Sequence, residues 1–251
     1  MVSDPLSAIV KSLERTRARI VEAALRVGRD PVDVRLVAVT KTFPVDAILA
    51  AWDAGQRDFG ENRPEEGVPK VLELAARLAT ADAKPVWHMI GHIQRRKASL
   101  VVDHFAMVHA IDRLALAQKL SALAVEAGRE LPVLLECNVS GEASKYGYQA
   151  AGWERDAALR ERLYAEVAAV LALPGLRLEG VMTMAPLAEE AEAARPVFAS
   201  LRGLRDALRE HFPGAPLPHL SMGMTDDFEV AIEEGATLVR IGRAIFGPYQ
   251  A

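Results

Sequence analysis

Apolar positions along the chain switch between two periods. From Leu6 to Leu25 they recur at helical spacing, at Leu6, Ile9, Val10, Leu13, Ile20, Val21, Ala24 and Leu25, which predicts an amphipathic helix. Ser3 or Asp4 followed by Pro5 supplies its start signal and Gly28 its stop. Short apolar, β-branched runs follow: RLVAVTK (35–41), RDFGEN (57–62), VWHMIGH (86–92), FAMVHAID (105–112), PVLLECNVS (132–140), LEGVMTMAP (178–186), HLSMGM (219–224) and TLVRIGRAIFG (237–247). Helical composition fills the intervals 45–54, 65–79, 94–101, 113–128, 154–172, 188–211 and 226–234.

Strands alternating with helices call for a parallel sheet. Eight strand candidates, with no Gly/Ser linker or break in composition, fit a single (β/α)8 TIM barrel over residues 1–251, preceded by an additional N-terminal helix. An open doubly wound sheet is the competing arrangement. Several runs are apolar at consecutive positions, as strands covered on both faces should be.

Composition narrows the partners. The 251 residues are 51% hydrophobic and 25% charged, ordinary for a globular domain. A net charge of −4 offers no basic surface for nucleic acid. Cys137 is the single cysteine, so an internal disulfide is excluded and a buried thiol in a reducing compartment is expected. The first twenty residues carry Asp4 and Glu14 and lack a continuous apolar core, unlike a signal peptide. No run approaches the roughly 18 apolar residues of a membrane span. A cytoplasmic location is the expectation.

Within this frame Lys41 stands out. Side chains alternate along a strand, so if Val37 and Val39 point into the barrel, Lys41 does too, at the C-terminal end where barrel active sites are built. A strand-end lysine can simply reach solvent along its stem. A partly desolvated one loses its proton more easily and can add to an aldehyde or ketone.

The last two strands suggest a second chemistry. Ser221, Gly223 and Thr225 precede a helix that opens with Asp226 and Asp227, and Gly242 and Arg243 end strand eight. Loops after strands seven and eight form the common phosphate site of such barrels. Neither GxxxxGK[ST] nor a post-strand GxGxxG is present. Arg240, in phase with Gly242, needs a partner inside the barrel, either a neighbouring carboxylate or an acceptor on a ligand. Asn62, before a helix starting at Pro64, is either a cap or turn residue or an amide at the barrel mouth. Other candidates are weaker. His88 and His92 have zinc-helix spacing, but Met89 stands between them and the segment reads as strand. QRRKA (94–98) reads as a solvated helix face. Ser221 lacks a G-x-S-x-G context.

LVAVTKTFP, FGENRPEE, WHMIGHIQRRK, ECNVSGEASKYG, GVMTMAP and LSMGMTDDFEVAIEEGATLVRIGRAIFG together resemble the pyridoxal 5′-phosphate (PLP) homeostasis proteins, in order and spacing over nearly the whole chain. The resemblance implies a fold-type III barrel similar to the N-terminal barrel of alanine racemase. It implies that Lys41 holds PLP as a Schiff base, with Asn62 lining the site and Met184 near the ring. Ser221, Gly242 and Arg243 would hold the phosphate, and Arg240 would face the pyridine nitrogen. Many members have Thr where this chain has Arg243, which removes a hydroxyl contact and leaves the guanidinium's role open.

The same resemblance implies intracellular PLP homeostasis and supply, by a monomer that serves PLP-requiring apoenzymes. A cationic Arg240 would keep the ring nitrogen unprotonated and disfavour carbanion chemistry. Related racemases add a tyrosine base from a second domain, and the barrel here is expected to use the whole chain. Of Tyr146, Tyr148, Tyr164 and Tyr249, only Tyr146 and Tyr148 invite inspection as a base. An amino-acid racemase or a Schiff-base aldolase on the same barrel is the alternative.

Overall fold

The computed structural model describes residues 5–249. Helix α1 (Pro5–Arg26) leads into β1 (Arg35–Val39), α2 (Val45–Asp53), β2 (Asp58–Glu61), α3 (Pro64–Arg77), β3 (Val86–Met89), α4 (Ala98–His104) and β4 (Met107–Ile111). Then come α5 (Leu114–Glu126), β5 (Leu131–Asn138), the two-residue β6 (Tyr148–Gln149), α6 (Ala157–Leu171) and β7 (Leu176–Met182). The chain ends with α7 (Arg195–His211), β8 (His219–Ser221), α8 (Phe228–Glu233), β9 (Leu238–Ile241) and the single turn α9 (Arg243–Phe246).

All strand pairs are parallel, in the order β4-β3-β2-β1-β9-β8-β7-β5, and a β4–β5 pairing closes the ring. This is the eight-stranded barrel with helices between strands that the sequence pattern predicts. β6 lies outside the ring, paired only to β5, and the apolar alternation did not reveal it.

Two apolar layers follow from the strand geometry. Outward side chains pack under the helices, with Phe59, Phe105, Phe198, Phe228, Leu74 and Leu120 fully buried. Val37, Met107, Ala110, Leu134, Met182 and Leu238 form a separate, smaller cluster inside the ring. Cys137 is buried and unpaired.

α1 buries Ile9, Leu13, Thr16, Ile20, Ala23 and Ala24, while Leu6, Val21 and Leu25 of the expected stripe are exposed. The buried set keeps the helical period more strictly, because only one narrow face meets α2, α8 and α9. Gly28 stops this region with φ +70°, and Arg29 N–H closes back onto the Ala24 carbonyl. The start signal at Ser3 or Asp4 lies outside the described residues.

Each barrel strand is shorter than its apolar run, and several stop well before the run's C-terminal end. β1 ends at Val39, β3 at Met89, β7 at Met182 and β8 at Ser221. The residues beyond each end turn across the barrel mouth. The run ending 237–247 splits, since α9 takes over from Arg243. Among the described residues no helix is long and apolar enough to cross a membrane.

Candidate functional site

At the C-terminal mouth of the ring is a cavity of about 370 Å³ whose walls come from the ends of, and loops after, β1, β2, β3, β7, β8 and β9. Six of the seven residues expected there line it: Lys41, Asn62, Met184, Arg240, Gly242 and Arg243. Ser221 is the exception. It is fully buried behind the wall, where its hydroxyl meets Arg240 Nη1 at 2.5 Å and His109 Nδ1 at 2.8 Å. Thr225 lines the cavity in its place.

Lys41 is two residues past the end of β1, in a turn rather than in the strand. Thr40 N–H still bonds the Gly60 carbonyl, and Phe43 N–H closes the turn onto the Thr40 carbonyl at 3.1 Å. Thr42 takes φ +65°, a left-handed conformation that a β-branched residue adopts only when its surroundings impose it. The ammonium is half-buried, 4.3 Å from the centre of the Tyr249 ring. Burial first, and then the positive charge of Arg243, push the Lys41 pKa below the usual lysine range. Both effects disfavour the charged form and raise the fraction of free amine at neutral pH.

Arg240 lies on β9 beside Val37 of β1. It is 4% exposed and donates to Ser221 Oγ and, at 2.9 Å, to the Thr183 carbonyl. Among the described residues no carboxylate forms an ion pair with it. Burial pulls its pKa to about 10 against the opposing pull of Asp227 and Glu136, so at neutral pH it is a buried cation. The carboxylate partner that an interior arginine ordinarily requires is therefore not in direct contact.

Asn62 is not the helix cap. That position belongs to Arg63, and α3 begins at Pro64, which leaves the Asn62 side chain on the cavity wall. Gly242 also lines the cavity, and a Cβ there would come within 2.5 Å of Tyr249 Oη and 3.2 Å of the Val39 carbonyl, so a larger residue would have to displace the Tyr249 side chain. Three acidic residues line the cavity, Glu190, Asp226 and Asp227, and the two in the loop after β8 are occupied. Asp226 pairs with Arg243 at the rim, and Asp227 Oδ1 accepts the Met224 N–H at 2.6 Å. Arg243 thus lines the cavity with its charge partly answered by Asp226.

Other residues singled out from the sequence go elsewhere. His88 is inside the ring and His92 is beyond β3, bonded to Asp112 at 2.7 Å. Among the described residues no group of His, Cys, Asp or Glu is arranged to hold a metal ion. Tyr146 stacks on His92, ring centres 4.3 Å apart, and Tyr148 is buried among Leu135, Cys137 and Leu163. Neither lines the cavity. Tyr249 does, and it follows the last strand with no periodic pattern to mark it. Glu136 was also missed: it is buried on β5, and burial together with Asp112 raises its pKa to about 7.

The alanine racemase N-terminal domain model matches residues 12–250. A pyridoxal phosphate homeostasis protein of Pseudomonas aeruginosa is 44% identical over 242 residues, which cover 96% of each chain. The chain belongs to the pyridoxal phosphate homeostasis proteins, within the alanine racemase N-terminal domain family. Among solved members, PipY of Synechococcus elongatus PCC7942 with PLP bound superposes with a TM-score of 0.73 at 34% identity, over 91% of this chain and 100% of PipY. An alanine racemase of Clostridium difficile 630 shares the fold, with a TM-score of 0.69 at 17% identity; the match covers 96% of this chain and 58% of the racemase.

Proposed function

We propose that this chain binds pyridoxal 5′-phosphate in the mouth cavity and serves PLP homeostasis, holding the cofactor and supplying it to enzymes that require it. One observation carries the reading: a half-buried lysine of lowered pKa and a buried arginine without a carboxylate partner line the same cavity. PLP offers a complementary group to each, an aldehyde for the amine and a ring nitrogen acceptor for the guanidinium. The name of the Pseudomonas aeruginosa relative and the PLP bound to PipY support the same ligand.

When bound, PLP would supply an aldehyde, and Lys41 is the amine that would hold it. Arg240 would donate to the ring nitrogen and, as a cation, would keep that nitrogen unprotonated, leaving the ring a weak electron sink and favouring holding over turnover. Asn62 and Met184, both on the cavity wall, would flank the ring. Gly242 lets the backbone approach the phosphate closely, while Arg243 and Thr225 add charge and a hydroxyl. Ser221 contributes through its bond to Arg240. The chain works in the cytoplasm as a monomer, and PLP-requiring apoenzymes are its recipients.

Titration of the cofactor-free protein with PLP, followed by absorbance, tests this reading. Saturation at one PLP per chain, and activation of a PLP-dependent apoenzyme by the loaded protein, are expected. A protein that takes up no PLP contradicts it. The position of Tyr249 beside Lys41 favours one second reading, an amino-acid racemase. Racemisation of alanine by the loaded protein above the rate of free PLP would establish that reading instead.

A further inference from the structure

The inside of the ring carries a row of polar side chains where barrels ordinarily pack aliphatic ones. Arg240 Nη1 donates to Ser221 Oγ at 2.5 Å, and Ser221 Oγ is 2.8 Å from His109 Nδ1. His109 Nε2 is 2.9 Å from His88 Nδ1, and His88 Nε2 is 2.9 Å from Asp58 Oδ1. The five residues come from β9, β8, β4, β3 and β2 in turn. They lead from the cavity wall to the N-terminal end of the ring, where Asp58 begins β2 and is 3.6 Å from Arg35. His88, His109, Ser221 and Arg240 are all nearly solvent-free.

The two ends dictate the direction of this row. A guanidinium only donates and an ionised carboxylate only accepts, whereas a neutral imidazole has one N–H and one bare nitrogen and a serine has one proton to give. His109 is neutral: burial first, then the neighbouring His88 and Arg240, hold its pKa well below the histidine range. With no extra proton on the His88–Asp58 pair, a single assignment satisfies every contact. Arg240 donates to Ser221, Ser221 to Nδ1 of His109, Nε2–H of His109 to Nδ1 of His88, and Nε2–H of His88 to Asp58. The reverse orientation at Ser221 would require that extra proton.

We propose that His109 and His88 are positioning residues for Arg240, joining it to Asp58 through a one-way hydrogen-bond chain that fixes the guanidinium and links its buried charge to a carboxylate at the far end of the barrel. The chain also commits the only proton of Ser221 to His109. Phosphate binding then falls to Thr225, Gly242 and Arg243, and Ser221 is a link rather than a phosphate donor. The purpose assigned to the chain rests on Arg240 facing PLP; its direction does not.

Imidazole ¹⁵N spectra of the cofactor-free protein test the direction. Both histidines should carry a single proton, on Nε2, with Nδ1 bare across neutral pH. A proton on Nδ1 of His109, or a second proton on His88, overturns the chain. PLP titration tests its purpose. His109→Leu should weaken PLP binding about tenfold, the loss of one buried hydrogen-bond link. His109→Gln, which can accept through its oxygen and donate through its nitrogen, should return to within about threefold of the unmodified chain. Unchanged affinity in His109→Leu, or equal loss in both variants, overturns the positioning role. If His109→Leu does not fold, Asp58→Asn replaces it: the acceptor survives, the charge does not, and unchanged affinity there overturns the charge link. Failure of the unmodified chain to bind PLP would refute the cavity reading, while the ¹⁵N spectra would still report on the chain's direction.

Discussion

The two faces of the barrel wall are built on different rules. The outward face packs under the helices as one continuous apolar layer that includes Phe59, Phe105, Phe198 and Leu120. The inward face has a small apolar cluster around Val37, Leu134 and Met182 and, beside it, a buried cation, two imidazoles, a hydroxyl and a carboxylic acid. Outward residues hold the ring closed and touch nothing chemical. Inward residues sacrifice packing to place polar groups behind the cavity, which the stability of the outer layer makes tolerable.

The largest expected effect separates the faces most cleanly. Phe198→Ala, in the outer layer, should cost about 3–5 kcal/mol of stability through the cavity it leaves. Urea unfolding checks the loss, and PLP affinity in the folded fraction should be unchanged. A change in affinity would mean that the two faces are coupled.

Glu136 probes the inner face. Its folded-state pKa of about 7 is above the ordinary carboxylate value, so the folded chain holds a proton that the unfolded chain has lost. Stability from this group is full below the unfolded value near 4.5, falls as pH rises towards 7, and stays low beyond. Glu136→Gln should therefore gain on the unmodified chain by on the order of 1–3 kcal/mol at alkaline pH and match it in acid. Equal melting profiles at both extremes would show that Glu136 is ionised at neutral pH.

The smallest effect belongs to the rim. Arg243 lowers the Lys41 pKa by charge, and Arg243→Thr removes that charge. The rate of covalent PLP uptake against pH should shift its midpoint upward, towards the ordinary lysine value of 10.5. No shift would place the whole perturbation of Lys41 in burial.

The difference between the faces also explains what was legible in the sequence. Outward packing leaves a periodic trace, so the eight strands, their order and the intervening helices could be read from spacing. Lys41 was found because it follows Val37 and Val39 in phase, although it occupies a turn closed by Thr42 rather than the strand itself. Gly242, Arg243 and Thr225 were legible as a glycine-bearing strand end and a loop. Partners inside the ring were not. Ser221 meets His109 across 112 positions of sequence, and no local pattern encodes that contact. Tyr249 and β6 escaped for a related reason, since each is placed by tertiary contact rather than by period.

Lys41 is the residue on which the proposed PLP binding depends. Borohydride reduction of the PLP-loaded protein, followed by peptide mass mapping, tests that role most directly. One phosphopyridoxyl group is expected on Lys41, absent in Lys41→Ala while that variant keeps the melting behaviour of the unmodified chain. A reduced adduct on another lysine, or the same adduct surviving in Lys41→Ala, would contradict it.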